Sequence, residues 1–317
     1  MLLSNVTVII RSVGERTVGL CHKLILEQGV PIDNIIHVNE APFSKAMLKS
    51  FEIGIDKNLK WTFCIDGDVL LRSSSISDMI KFANGVNEKY CEIQGFVLDK
   101  SFGGARPAGN HLYRTSMLPL CMSLIPNEGI DIRPEGRMLA NLAKVGHPWY
   151  QTRFLVGLHD FEQFNRDLFR KTIVYAHKHY MYSDLLLPYW RERLKHDKDY
   201  HIMLLGFSKG VQAVQKIYIN NTDKLFSSVS LEHSFNEKSS LNLINWDGSK
   251  VDKIINEWEE PIEYKNKFPL YVGLGRIQTF RRRSLVIKIF FQNSLVQFLK
   301  IIVRLSINTL SNSIKIR

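Results

Sequence analysis

Apolar residues near the start of the chain form short runs that alternate with helically spaced segments. The β-branched run Val6–Arg11 predicts a strand, and Thr17–Gln28 carries apolar residues at helical spacing. The same alternation predicts strands at 34–38 and 60–65, separated by a helix at 43–55. Strands separated by helices in this way predict right-handed parallel crossovers. The expected fold class is α/β, with a mostly parallel sheet flanked by helices.

The pattern is less regular further along the chain. The run Cys91–Leu98 predicts another strand, and Tyr200–Leu205 is compatible with one more. Helical spacing dominates from Phe161 to Leu194, and the first of these helices is expected over Phe161–Lys171. Gly103–Arg114 combines glycines with polar and aromatic residues, which suits either a loop that binds sugar or phosphate or an ordinary surface loop.

Composition excludes several classes of protein. The chain has 317 residues, of which 45% are hydrophobic and 11% aromatic. These values exclude a disordered chain, a disulfide-stapled miniprotein and a collagen-like fibre. The four cysteines lack metal-binding spacing, which favours reduced core thiols. Because a strand begins at Val6 and no apolar run reaches the ~18 residues of a membrane span, we expect no signal peptide and no simple transmembrane helix.

The positive charge is confined to the C-terminus. The net charge is +11, and the residues after Glu263 hold eleven Lys or Arg and no Asp or Glu. From Leu285 to Leu310 the polar residues recur at three- to five-residue steps and leave a wide apolar face. A basic stripe of this kind predicts an interfacial helix on an anionic membrane, with a helix packed on the domain or on an oligomer partner as the alternative. Nucleic acid is not an expected partner, because aromatic and basic residues do not interleave.

These patterns divide the chain into three predicted regions. They are a catalytic-type domain at 1–205, an accessory region at 206–275 and a basic amphipathic, membrane-associating tail at 276–317. The expected localisation is cytoplasmic, peripheral at the inner face of the cell membrane.

Two Asp-x-Asp pairs occur, in different surroundings. Asp66-Gly-Asp68 follows a buried strand, at the carboxyl end where α/β sheets gather ligands. Desolvated carboxylates there need a cation, and a divalent metal bound to phosphate oxygens fits; hydrated side chains in a strand-end turn are the alternative. Asp197-Lys-Asp199 lies in a charged run and is predicted to be solvated surface.

Further polar residues are candidates for the same site. His159 and Asp160 follow an apolar run, and an imidazole there could bind a manganese-class ion. A structural histidine and a helix N-cap are the alternatives for His159 and Asp160. The loop after the first strand offers candidates for nucleotide contacts, or for an ordinary turn: Arg11, Ser12, Glu15 and Arg16.

Two loop carboxylates are candidates for a general base. Asp131 and Glu135 lie in a polar segment, where they could deprotonate a hydroxyl or simply be solvated. No GxGxxG or GxxxxGK[ST] motif occurs, which disfavours Rossmann redox and P-loop functions.

Three segments together resemble a known family. Val6–Thr17, the strand end Cys64–Val69 and Gly157–Asp160 resemble bacterial glycosyltransferases of the GT-A type, near glycosyltransferase family 2. The likeness covers about 1–175 and implies a GT-A-like, Rossmann-related fold. It also implies a nucleotide-diphosphate-sugar donor and a divalent ion, Mn²⁺ or Mg²⁺.

The resemblance assigns roles to individual residues. It makes Asp66, Asp68 and His159 the metal ligands, and Asp66 is an additional candidate for the ribose. Asp160 joins the two loop acids, Asp131 and Glu135, as a candidate catalytic carboxylate. The family's usual Pro-x-Tyr-Asn after the first strand is replaced by Arg-Ser-Val-Gly, and no clear Glu-Asp pair appears. The base and the stereochemistry, inverting or retaining, therefore stay open.

The predicted function is metal-dependent hexosyl transfer to a hydroxyl of a glycan or lipid-linked acceptor, in synthesis of a cell-surface polysaccharide or glycolipid. Two alternatives remain: a nucleotidyltransferase on a similar sheet, and a non-catalytic, membrane-associated binding protein.

Overall fold

A computed structural model describes residues 2–212, 238 and 246–258. By its contacts the chain divides into Met1–Val272 and Gly273–Arg317, and every described residue belongs to the first unit. The predicted tail at 276–317 and most of the predicted accessory region lie outside the described residues. Within the described part, every helix is too short or too polar to cross a bilayer.

Strands and helices alternate through most of the described chain. The strands are β1 Val6–Ser12, β2 Ile35–Asn39, β3 Trp61–Asp66, β4 Val69–Leu71, β5 Glu92–Asp99, β6 Gly104–Pro107, β7 Asn110–Arg114 and β8 Trp149–His159. The α-helices are α1 Val18–Glu27, α2 Phe43–Lys57, α3 Ser75–Asn84, α4 Leu118–Ser123, α5 Pro134–Lys144, α6 Asn165–Lys178, α7 Ser183–Arg193, α8 Asp199–Gln212 and α9 Gly248–Glu257.

The strands form one sheet in the order β2-β1-β3-β7-β5-β8-β4, with β6 paired to β5. Neighbours are parallel at β1–β2, β1–β3 and β5–β8, and antiparallel at β3–β7, β5–β7, β5–β6 and β4–β8. The predicted α/β class is confirmed. The sheet is mixed rather than mostly parallel, because β4, β6 and β7 are short return strands that the alternation of long elements does not reveal.

The connection from β3 to β4 requires the sheet to curl. Asp66 ends β3 and Val69 begins β4, so at most about 11 Å of extended chain joins them. Three strands lie between β3 and β4 in the sheet order, and four flat interstrand steps would span about 19 Å. The sheet therefore brings its far edge back towards the end of β3.

Both faces of the sheet are covered, which explains the continuous apolar runs of its strands. On β1, Val8 and Ile10 pack in one cluster with residues of α1 and α3. Ile9 points the other way, into a cluster with α2, α4 and α5. Helices α6, α7 and α8 pack on one another around Phe169, Trp190 and other buried residues.

Several local predictions were wrong. Tyr200–Leu205 lies in helix α8, because Ile202, Met203 and Phe207 follow helical spacing into the α6–α8 cluster. Gly103–Arg114 includes the strands β6 and β7 rather than a loop. The helix expected to begin at Phe161 begins at Asn165. The predicted domain boundary at residue 205 falls inside α8.

Candidate functional site

The sheet gathers the candidate residues at one edge. Strand β8 lies between β5 and β4, and its last residue, His159, is in register with Asp99 of β5 and with Val69 of β4. Asp68 immediately precedes β4. The curl of the sheet therefore places acids from two strand ends on either side of one histidine.

Asp68, His159 and Asp160 form a buried group that could hold a metal ion. One ligand atom from each lies within 4.8 Å of the others. The Asp68 Oδ1 and His159 Nε2 atoms are 3.6 Å apart. Asp68 Oδ1 is buried and accepts no hydrogen bond from the described residues. An orphaned carboxylate oxygen beside an imidazole nitrogen fits a bound cation, because burying such an atom unpaired is costly.

Asp99 orients the histidine. Its Oδ2 lies 2.7 Å from His159 Nδ1, and both Nε and Nη2 of Arg106 bond the same oxygen at 2.6 Å. Asp99 holds the ring through Nδ1, so that Nε2 could bind a cation beside Asp68, as in carboxylate–histidine–metal arrangements. Burial alone would lower the pKa of His159, but Asp160, Asp68 and Asp99 raise it above its ordinary value.

Asp160 is held in an uncommon backbone conformation. Its φ is +63°, in the left-handed region that non-glycine residues rarely adopt, and its side chain is fully buried. Oδ2 accepts hydrogen bonds from Ser101 Oγ at 3.1 Å and from Tyr175 OH at 3.3 Å. The N-cap alternative for Asp160 was wrong, because α6 begins five residues later and its N-cap is Phe164.

Lys171 joins this group from helix α6. Its Nζ contacts Asp68 Oδ2 and Asp160 Oδ1. Tyr175 lies one helical turn on and reaches the same Asp160, as an i, i+4 pair on one helix face does. Burial would lower the pKa of Lys171, but Asp160 and Asp68 raise it well above its ordinary value. The ammonium is therefore charged at neutral pH.

Arg11 positions acids rather than facing a nucleotide. Its side chain is 2% exposed, and its Nη2 bonds Asp66 Oδ1 at 2.9 Å while its Nη1 bonds Glu135 Oε1 at 2.8 Å. Asp66 does not belong to the metal-compatible group, and its Oδ1 is committed to Arg11. Its side chain is 32% exposed, so the carboxylate is accessible to a ligand at the end of β3.

Glu135 is a poor candidate for a general base. It lies buried in the first turn of α5 and also accepts hydrogen bonds from Tyr113 OH at 2.8 Å and His111 Nε2 at 3.0 Å. Burial would raise its pKa, but Arg11 and His111 hold the pKa of Glu135 well below its ordinary value. A carboxylate with three donors and a low pKa links β1, β7 and α5 instead of accepting a substrate proton.

Asp131 lies apart from that cluster. Its oxygens accept from Arg133 N and Arg137 Nε, both at 2.8 Å. Arg133 in turn donates to the carbonyl of Lys178 at 2.7 Å, so this loop contacts the end of α6. The side chain of Asp131 is 18% exposed.

The loop after β1 borders Asp68. Glu15 accepts from Val13 N at 2.8 Å, and burial, with Asp68 as the second cause, raises its pKa to about 7. Arg16 Nη1 bonds Glu162 Oε2 at 2.5 Å, which ties this loop to the loop after β8. Ser12 is half-buried at the end of β1.

Gly67 is required by close packing. A Cβ at Gly67 would lie 2.9 Å from Val18 Cγ2 and 3.1 Å from Ser12 Cβ. Its backbone also bonds Arg11 O and Thr17 Oγ1, both at 2.8 Å. A side chain here would push the Asp66-Gly-Asp68 turn away from α1 and move Asp68.

The second Asp-x-Asp pair was wrongly assigned to solvated surface. Asp199 is 5% exposed, and its Oδ2 lies 2.6 Å from Lys100 Nζ. Asp197 lies 2.7 Å from the same ammonium. Tyr200 donates to the Lys100 carbonyl at 3.1 Å. The contacts of Asp197, Asp199 and Tyr200 with Lys100 therefore hold the start of α8 against the segment that follows β5. We call this set of contacts the α8 clamp.

The sequence analysis missed Asp99 and Lys171. Asp99 ends an apolar strand as Asp66 does, so the same strand-end signal could have found it. Lys171 was placed only as the last residue of a helix, and no local pattern indicates that it reaches Asp68, which lies 103 positions away.

Comparison with solved structures found several similar chains, two of which are glycosyltransferases. No known protein-family profile matches this chain, and no curated protein sequence matches it. One similar structure is a glycosyltransferase involved in glycosylation of the major capsid of PBCV-1, at 12% identity and a TM-score of 0.35, covering 46% of this chain and 81% of that one. The other is the mannosyltransferase PcManGT from Pyrobaculum calidifontis in complex with GDP-Man and Mn²⁺, at 10% identity and a TM-score of 0.38, covering 72% of this chain and 80% of that one.

Proposed function

We propose that this chain is a metal-dependent glycosyltransferase that moves a hexosyl unit from a nucleotide-diphosphate sugar to a hydroxyl acceptor. The observation that carries the proposal is the buried Asp68–His159–Asp160 group, with Asp99 behind the histidine, at the carboxyl-end edge of an α/β sheet. Ligands of such sheets bind beyond the strand ends, and carboxylates there match an ion that carries a diphosphate.

The donor set favours Mn²⁺ over Mg²⁺. Two carboxylates and an imidazole would hold the ion, and magnesium prefers oxygen ligands alone. When bound, such an ion supplies charge stabilisation to the departing diphosphate. Residues of the chain hold the candidate ligands in place. Asp99 orients the ring of His159, and Arg11 holds Asp66 at the end of β3.

We propose Asp131 as the general base for the acceptor hydroxyl. Of the three predicted catalytic carboxylates, Glu135 and Asp160 are buried and bonded to several donors. Asp131 also accepts hydrogen bonds from Arg133 N and Arg137 Nε, but it is the partly exposed carboxylate of the three. Asp131→Asn should lower kcat with little change in the melting temperature, and an unchanged kcat would exclude the role.

A nucleotide panel tests the proposed function. The full chain is screened by thermal shift against nucleoside diphosphates and their sugars, with and without Mn²⁺. We expect one nucleotide class to raise the Tm only with Mn²⁺, and its sugar nucleotide to release a nucleoside diphosphate. Release of pyrophosphate would instead identify a nucleotidyltransferase. Binding without turnover, with every acceptor tried, would favour the non-catalytic alternative.

We further propose that the chain works at the inner face of the cell membrane, on a glycan or lipid-linked acceptor of surface polysaccharide or glycolipid synthesis. Support comes from the sequence after Glu263, where all the excess positive charge lies beside a wide apolar face. In vesicle flotation, the full chain should bind anionic vesicles, and truncation near Phe280 should abolish binding while donor turnover persists. Full-length chain that stays unbound would exclude the membrane role.

A further inference from the structure

The Lys171 ammonium contacts two of the carboxylates that are candidate metal ligands. The contacts are with Oδ2 of Asp68 and Oδ1 of Asp160, which come from segments far apart in the chain. Those two residues are also two of the three members of the metal-compatible group. The Lys171 ammonium therefore already neutralises part of the negative charge of the two carboxylates that would bind a divalent ion.

We propose that Lys171 is a tethered competitor for the metal ion: its ammonium and a divalent cation are alternative partners of Asp68 and Asp160. This rests on the proposed function, because it assumes that the group binds an ion. The reason is electrostatic. An ammonium held a few ångströms from a divalent cation would be strongly repelled in a buried site, where screening by water is weak.

The Lys171 side chain has access to solvent, so it can move away from the aspartates. The Lys171 side chain is 21% exposed, so it borders solvent, whereas Asp160 is fully buried. Four flexible carbons connect its ammonium to α6, and rotation about them moves the charge without moving the helix. The aspartates have less freedom: Asp160 is also held by Ser101 and Tyr175.

The second oxygen of Asp68, Oδ1, also supports an exchange between the lysine ammonium and a metal ion. Lys171 takes one oxygen of Asp68, and the remaining Oδ1 faces His159 Nε2 with no hydrogen-bond donor among the described residues. An ion seated between Oδ1 and Nε2 would lie on the same carboxylate as the ammonium. The competition should therefore set how much Mn²⁺ the protein needs.

Amine labelling of the wild-type chain tests the exchange without any substitution. An acetylating reagent is applied at fixed pH with and without Mn²⁺, and peptides are quantified by mass spectrometry. Labelling of Lys171 should rise several-fold at Mn²⁺ concentrations that bind, since the ammonium is released to solvent. Lys100 is the matched control, because it also bridges two aspartates but lies in the α8 clamp, and its labelling should not change.

Mn²⁺ titration of variants gives the second readout. Binding is followed by the electron paramagnetic resonance signal of free Mn²⁺. Lys171→Met should lower the Kd for Mn²⁺ by about tenfold, because a charge-assisted contact no longer has to be broken. Lys171→Arg should stay near wild type, and so should Lys100→Met.

The outcomes separate this inference from the proposed function. Equal Mn²⁺ affinity in wild type and Lys171→Met, or unchanged Lys171 labelling when Mn²⁺ is bound, would overturn the competition while leaving a metal-dependent transferase intact. Absence of Mn²⁺ binding in both proteins would overturn the competition and the metal dependence together. If Lys171→Met does not fold, the labelling of the wild-type chain decides alone.

Discussion

Two lysines in this protein are each held by two aspartates, yet the two sites differ. Lys100 meets Asp197 and Asp199, which belong to one short segment at the start of α8. Lys171 meets Asp68 and Asp160, which different strand ends deliver. Only the second site includes an imidazole and a buried carboxylate oxygen that accepts no hydrogen bond from the described part of the chain.

The difference shows what an Asp-x-Asp pair can and cannot indicate. In the α8 clamp, each Asp199 oxygen has a lysine partner, Lys100 on one and Lys238 on the other. In the site at the sheet edge, Asp68 keeps an oxygen available. Of these two pairs, only the one at the sheet edge therefore has the composition of a candidate ligand group.

The largest effect is expected for Asp68→Asn. It should lower donor turnover by about a thousandfold, since a metal ion contributes several kcal/mol of charge stabilisation and each 1.36 kcal/mol is about tenfold. Mn²⁺ titration should show lost binding. Asp197→Asn is the control from the clamp and should keep both, as its side chain is 36% exposed. Full activity of Asp68→Asn would show that the Asp66–Asp68 pair does not bind a catalytic metal ion and so does not differ from the Asp197–Asp199 pair in that respect.

Asp199→Ala should act on stability instead. Breaking a buried ion pair leaves Lys100 short of a partner and costs about 3 kcal/mol of unfolding free energy. Asp197→Ala should cost less than about 1 kcal/mol, because that carboxylate is partly exposed. Chemical denaturation measures both, and Mn²⁺ affinity should not change. A loss of Mn²⁺ binding in Asp199→Ala with the fold intact would contradict a purely structural clamp.

Asp99→Asn should weaken metal binding by about 10- to 100-fold, the usual effect of removing a carboxylate behind a ligating histidine. The readout is the Kd for Mn²⁺ compared with the melting temperature in metal-free buffer. Ser101→Ala, which removes a neutral hydrogen bond to Asp160, serves as the control and should change the Kd far less. An unchanged Kd in Asp99→Asn would show that Asp99 does not orient His159.

The smallest effect concerns pH and Glu15. Its pKa is raised from 4.5 to about 7 by burial and by Asp68, so the folded state holds a proton there that the unfolded state has lost. Between these two values stability should fall as pH rises, because the unfolded chain binds fewer protons. Glu15→Gln should flatten the decline in Tm over this range in metal-free buffer. Parallel curves for both proteins would show that Glu15 does not titrate near neutrality.

Sequence patterns predicted the first half of the fold well. The strand Val6–Ser12 has a buried apolar run from Val8 to Ile10, and α1 and α2 carry apolar residues at helical spacing. Local patterns failed where tertiary contacts decide. The strand Asn110–Arg114 is polar, yet it is buried because Asn110 bonds the Gly95 backbone and His111 bonds Glu92.

The candidate site was predicted in part for the same reason. Asp68 was a candidate ligand from its place at a strand end, whereas His159 joined it as a metal ligand through the family resemblance; the structure places the two residues together. The contact between Arg11 and Glu135 could not be predicted, because these two residues are 124 positions apart and meet only in the folded chain. Burial then changes the chemistry, since a loop acid expected in water becomes a fixed anion among three donors.

The two-residue step from β3 to β4 has a consequence for the order of assembly. Asp68 meets His159 when β4 pairs with β8, and that pairing closes a loop of about 90 residues between Val69 and His159. A partly folded chain that has formed only β1, β2 and β3 would contain Asp68 but no ion site. Metal binding should therefore stabilise the state in which β4 and β8 are paired, because only that state brings the three candidate ligands together.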